Sequence, residues 1–182
     1  MGRDANESED AACVVRVRRG DEAAFGELAE RYAARICSHL YRMVGNREEA
    51  EDLTQECFIR AMRYLPSYDE QRPFRSWLYT IATNLGADAG RRRKRSSSVF
   101  EETQRAGVAQ SVGFVEALDR TERLNNAVRQ LAPRDAALVQ MHYYEGMSIE
   151  DAAEVLGIAP GAAKTALCRA RKRLRVILLE DA

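Results

Sequence analysis

At 182 residues, 46% hydrophobic and 31% charged, the chain is long enough for one large or two small folded domains and too apolar to be disordered throughout. No apolar run approaches the roughly 18 residues of a membrane helix, and residues 1–10, with Asp4, Glu7, Glu9 and Asp10, lack the basic start and apolar stretch of a secretion signal, so membrane insertion is not expected and the cytoplasm is. The 28 basic and 28 acidic side chains cancel, yet they are segregated along the chain. Electrostatic attraction reaches only about 8 Å at cellular salt, so local surfaces rather than net charge decide partners.

Strand signals are nearly absent, and the predicted elements are helical. Phe25, Leu28, Ala29, Tyr32, Ile36, Leu40 and Val44 recur at three and four, the period of a helix that buries one face. Gly45 and Asn46 end it. A second helix starts there, with Asn46 as N-cap and Glu49 at the capping-box position, and runs through Ala50, Leu53, Cys57, Phe58, Ala61 and Leu65 to Pro66. Its first turns carry Glu48, Glu49, Glu51, Asp52 and Glu56. Residues 66–73, polar and bracketed by Pro66 and Pro73, predict an exposed loop.

A third helix begins at Phe74 or Ser76 and passes through Trp77, Leu78, Ile81, Ala82 and Leu85 to the basic block Arg91, Arg92, Arg93, Lys94 and Arg95. Past Arg95, serines and glycines with few large apolar residues predict a linker of roughly 20 residues. The helical period returns near Phe114, through Leu118, Leu124, Val128 and Leu131. Pro133 then opens a helix with Ala137, Leu138, Met141 and Tyr144 on one face, ended by Gly146. Ser148 and Asp151 mark a short helix to Leu156, Gly157 makes a turn, and Pro160 opens a last helix to about Leu178.

Helix, glycine turn and helix over Ser148–Leu174 is a helix-turn-helix layout in which Ala153, Leu156, Ile158 and Leu167 pack inside. The outward residues Lys164, Thr165, Cys168, Arg169, Lys172 and Arg173 are then placed to meet base edges or phosphates in a major groove. The block Arg91–Arg95 offers salt-dependent phosphate contacts without sequence information. Tyr68, Phe74, Trp77 and Tyr79 are candidate stacking platforms for unpaired bases. Phe74 and Trp77 also suit a helical core, whereas Tyr68, in a polar loop, has no such role. Cys13, Cys37, Cys57 and Cys168 are too scattered for a zinc site and read as reduced, packed thiols; the reading of His39 and His142 is structural, and no metal or cofactor is expected.

These motifs together resemble the extracytoplasmic-function (ECF) sigma factors, the minimal members of the sigma-70 family. Residues 46–61 resemble the family's polymerase-docking helix, and Gly20–Phe25 with Leu28 and Tyr32 its opening helix. Residues 74–84 with Asp88 and Arg91 resemble its promoter-melting helix. Leu131–Arg134, Tyr144–Ser148 and Arg169–Arg171 resemble its second DNA-binding domain. The resemblance implies an all-α chain of two small helical domains on a flexible linker: sigma region 2 over 12–95, the linker over 96–114, and sigma region 4 over 115–178.

It also implies a function, that of directing core RNA polymerase to promoters, without enzymatic activity. Glu49, Asp52, Leu53, Gln55, Glu56 and Phe58 would dock on the basic clamp helices of the large polymerase subunit. Tyr68, Arg72, Trp77, Asn84, Asp88, Arg91, Arg92 and Arg93 would handle the minus-ten element, an unpaired non-template base entering the loop 67–72 and stacking on Tyr68. The last helix would read the minus-thirty-five duplex. An anti-sigma protein that clamps both domains is an implied partner, and no sensory domain is expected after the last helix. Many relatives carry a threonine and an arginine where this chain has Ala162 and Ala166, and a larger residue at Cys168, so base contacts do not carry over.

Two other readings compete. A transcriptional regulator with a C-terminal helix-turn-helix explains residues 131–175 but leaves the acidic helix, the proline-bracketed loop and the basic block without a role. A nucleic-acid enzyme needs clustered carboxylates or a nucleophile with its base, and the acidic run is an outward helix face without histidine.

Overall fold

The computed structural model describes residues 3–97 and 123–180, which fall into two compact units divided between Asp88 and Ala89. The linker expected from residue 96 starts later, because the helix begun at Phe74 continues through Ser96 and Ser97; residues 98–114, with the positions of Phe114 and Leu118, lie outside the described residues.

In the first unit, α1 (Arg3–Arg18) and α3 (Arg47–Tyr64) both pack on α2 (Glu22–Val44), and the part of α4 (Phe74–Ser97) up to Asp88 completes the bundle. The periodic residues named above form the core: Leu28, Ile36 and Leu40 of α2 are fully buried, as are Ala50, Cys57 and Ala61 of α3 and Leu78, Tyr79 and Ala82 of α4. Gly45 ends α2 with φ 74°, a left-handed conformation that costs glycine little, and its N–H donates to Tyr41 O at 2.7 Å. Asn46 Oδ1 accepts from Glu49 N at 2.9 Å, which starts α3 where the sequence placed it. A 3₁₀ turn, Leu65–Ser67, joins α3 to the proline-bracketed loop.

The helix α1 is absent from the expectations. Its apolar signal is weak because, among its side chains that are described, those buried are Asp10, Cys13 and Val14, and one of these is a carboxylate. Asp10 is accommodated by hydrogen bonds from Tyr32 Oη and the Arg31 guanidinium on α2. Arg16 reaches Asp21 and Glu27 at 2.7 and 2.9 Å.

The second unit starts, among the described residues, with helical residues 123–129, here α5. It continues through α6 (Pro133–Val139), a π-turn Gln140–Tyr144, α7 (Ile149–Val155) and α8 (Pro160–Glu180). Pro133 stands in the first turn of α6 and Gly146 and Gly157 adopt positive φ, as their turns require. The small residues Ala152 and Ala153 on α7 and Ala163, Ala166 and Ala170 on α8 are buried where α8 packs on α6 and α7. No strand is present among the described residues, and none of their helices is long and apolar enough to cross a membrane. No three His, Cys, Asp or Glu side chains among them come together as metal ligands.

The expectation of packed thiols holds for Cys13 and Cys57, both buried. Cys37 is half-buried, and Cys168 is exposed because it lies on the outer face of α8. Burial pushes the Cys57 thiol up to about 12.

His39 is fully buried between α2 and α4, with Nε2 3.1 Å from Thr83 Oγ1 and its ring edge-on to Tyr79. Burial, with help from Arg42, pulls its pKa down to about 3 from the ordinary 6.5. Folded His39 is therefore neutral, while the unfolded chain takes up a proton below 6.5, so its stabilisation is complete above 6.5 and is lost as pH falls toward 3. His39→Gln keeps a hydrogen bond to Thr83 and cannot titrate. Denaturant midpoints measured from pH 7 to 4.5 should show the wild type losing up to ~1.4 kcal/mol per pH unit more than this variant.

Candidate functional site

Along α3, residues Glu48, Asp52, Gln55, Ile59 and Met62 recur at three and four and are all exposed, forming one outward stripe that is acidic in its first half and apolar in its second. Ile59 and Met62 are 54% and 46% exposed, and Tyr41 and Tyr64 are exposed as well. The sequence reading missed this apolar half; the spacing from Asp52 would have found it. Glu49 is half-buried, and Glu56 is tied to Arg60 at 2.6 Å. Phe58 is half-buried, edge-on to Phe25 at 6.4 Å. Leu53 was expected on the docking face, but it is 7% exposed because it falls on the core side of α3 with Ala50 and Cys57.

The loop after α3 is only partly exposed. Pro66, Ser67, Asp69, Glu70 and Gln71 face solvent, but Tyr68 does not, against expectation. Its ring packs 4.9 Å from Trp77 and 5.9 Å from Phe74, and its hydroxyl donates to Arg72 O, so the loop folds back on its own aromatic. Burial pushes the phenol up to about 12. Of the other expected platforms, Phe74 and Tyr79 are buried as well. Beside Tyr68 opens a cavity of about 150 Å³, between Glu7 and Ala11 of α1 and Tyr68, Glu70, Gln71 and Arg72 of the loop. Half-buried Trp77 adjoins the same aromatic cluster. From it the exposed residues Asn84, Asp88, Arg91 and Arg95 continue along one face of α4, with Arg92 and Arg93 alongside.

In the second unit Ser148 caps α7 in a reciprocal box: its Oγ accepts from Asp151 N at 3.0 Å and its own N–H donates to Asp151 Oδ2 at 3.2 Å. This fixes where α7 begins. Lys164, Thr165, Cys168, Arg169, Lys172 and Arg173 are all exposed on α8, as the helix-turn-helix spacing required. Lys164 lies 3.6 Å from Glu150, and Thr165 Oγ1 donates to Gly161 O at 3.0 Å.

Arg169 departs from the picture of a free reader. Its Nε and Nη2 grip both oxygens of the buried Asp135 on α6 at 3.1 and 3.0 Å, a two-pronged bond that raises its already high pKa. Ala166, which the sequence marked as a lost contact, is buried and points away from the reading face, whereas Ala162 is exposed.

A family model described as Sigma-70 region 2 matches residues 28–96, and one described as Sigma-70, region 4 matches residues 121–174. The chain is 33% identical over 175 residues to the ECF RNA polymerase sigma factor SigW of Bacillus subtilis, an alignment covering 89% of this chain and 92% of that protein. The chain belongs to the ECF sigma factors of the sigma-70 family. Another relative, the ECF sigma factor SigL of Mycobacterium tuberculosis, is 34% identical over 164 residues, 88% of this chain and 92% of that one. Among solved structures, CnrH in complex with the cytosolic domain of CnrY shares the fold, with TM-score 0.76 and 24% identity over 96% of this chain and 99% of that chain. The sigma factor RpoE in complex with the anti-sigma factor NepR from Bartonella quintana gives TM-score 0.69 and 26% identity over 87% and 98%.

As an ECF sigma factor, the chain is a DNA-binding initiation factor that directs RNA polymerase to promoters and starts transcription there. Because the cap holds α7 in place, Ser148→Ala should lower the stability of the second unit by ~1 kcal/mol, read as a shift in its thermal unfolding.

Proposed function

We propose the following map of that function onto the chain. Residues 12–95 act as region 2 and residues 115–178 as region 4, with the connection between them beginning after α4 ends at Ser97. The docking surface is the outward stripe of α3: Asp52 and Gln55, flanked by Glu49 and Glu56, attract the basic clamp helices of core polymerase, and Ile59 and Met62 supply apolar contact beside them. Phe58 supports the stripe from its half-buried place, and Leu53 contributes through the core.

The minus-ten strand runs along α4. An extruded base enters the cavity beside Tyr68 and Arg72, whose aromatic wall is made by Tyr68 and Phe74, with Trp77 packed behind Tyr68. Asn84 and Asp88 follow on the same face, and Arg91, Arg92 and Arg93 hold phosphates beyond them. The observation that carries this reading is the single row on α4 that passes from the aromatic cluster to the basic block without leaving one exposed face.

On α8, Lys164, Thr165, Cys168, Lys172 and Arg173 meet the minus-thirty-five duplex, while Arg169 sets the helix through Asp135 and offers only its remaining N–H groups to DNA. The chain works in the cytoplasm and performs no catalysis of its own. An anti-sigma protein is its regulator, a reading supported by the likeness to the RpoE chain seen with NepR.

Run-off transcription with core polymerase on a promoter library tests the whole map: initiation should require this chain and favour a subset of promoters. Asp52→Arg should weaken core binding roughly tenfold with the fold intact, and equal affinity would remove the docking stripe. Lys172→Ala should weaken promoter binding almost evenly across sequences and reduce the slope of log affinity against log salt by about one.

A further inference from the structure

The region 2 family match begins at residue 28, so α1 lies wholly outside it. Yet α1 holds the loop that shapes the cavity. Arg18, in its last turn, sends Nε and Nη2 to Leu65 O at 3.4 and 3.2 Å, Nη2 also to Tyr68 O, and Nη1 to the Glu70 carboxylate. Its guanidinium carbon stands 6.0 Å from the centre of the Tyr68 ring. One planar cation thus spans both ends of the turn Leu65–Tyr68 and the carboxylate of Glu70.

The other end of the connection is firm. Asp10, Cys13 and Val14 are buried against α2, and Arg16 bonds Asp21 and Glu27, so Arg18 starts from a helix fixed to the core. A proline-bracketed loop left to itself samples many conformations, and a base that must order it on entry loses that entropy from its binding. We propose that Arg18 is the positioning residue of the base-capture loop: it holds the Leu65 and Tyr68 carbonyls and Glu70 so that the cavity exists before an extruded base arrives. The proposal rests on the reading of this cavity as the base site. Lysine cannot substitute, because an ammonium has no planar fork to serve two carbonyls and a carboxylate at once.

The test uses holoenzyme assembled from the full chain and core polymerase on promoters whose minus-ten element is pre-melted, with each of the four bases in turn at each non-template position. The quantity read is the ratio of initiation rates between the best and worst base. Arg18→Lys and Arg18→Gln should bind core polymerase as wild type does and lower that ratio roughly tenfold, the scale of a few charge-assisted hydrogen bonds. Arg19→Gln, one residue further and outside the clamp, should leave it unchanged. If Arg18→Gln fails to fold by circular dichroism, Arg18→Lys, which keeps the charge and the stem, decides. A folded Arg18→Lys with the wild-type ratio overturns the inference, as does a loss of rate equal for all four bases. A wild-type holoenzyme indifferent to all four bases at every position overturns the base-site reading itself.

Discussion

A helix in a small bundle can bury one face only, and everything this chain offers to partners follows from which face that is. The cores of the two units are built from leucines, aromatics and alanines at three and four spacing, which fixes the rotation of each helix about its own axis. Once α3 is turned so that Ala50, Leu53 and Cys57 point inward, Asp52, Gln55, Ile59 and Met62 have nowhere to go but out. The same rule sets Asn84, Asp88 and Arg91 on one side of α4 and Lys164, Cys168 and Lys172 on one side of α8. Charge segregation along the chain becomes charge segregation on surfaces, which reconciles a net charge of zero with a protein that meets polyanionic promoter DNA.

Elements whose signals are local were legible. Asn46, Gly45, Pro133, Ser148 with Asp151, and Gly157 each act within a turn, and each helix boundary they mark is where the periodicity placed it. The helix-turn-helix was legible for the same reason, since its geometry needs only a cap, a glycine and small inward residues. What escaped is what depends on partners distant in sequence. The helix α1 buries a carboxylate rather than a leucine, and Asp10 becomes tolerable only when Tyr32 and Arg31 arrive from α2. Tyr68 sits among polar neighbours and reads as exposed; its burial needs Phe74 and Trp77 from the next helix. Arg169 reads as one more outward cation until α6 brings Asp135 to it.

These long-range polar links share a logic. Each ties a functional segment to the core by charge-assisted bonds with fixed direction: Arg18 to the loop, Arg169 to Asp135, Asp10 to Arg31. Apolar packing alone holds volumes together but leaves rotations and loop carbonyls loosely specified. In a protein that reads bases, an uncertainty of an ångström in a loop or a few degrees in a helix is enough to blur recognition.

The inward face of α8 is made largely of alanine: Ala163, Ala166 and Ala170 touch the neighbouring helices with little more than a methyl group each. Such a seam has almost no shape of its own to violate, and it is insulated from the opposite side of the helix. Exchanges at the exposed Lys164, Cys168 or Lys172 can therefore drift in lineage or be chosen in the laboratory while the scaffold beneath stays untouched.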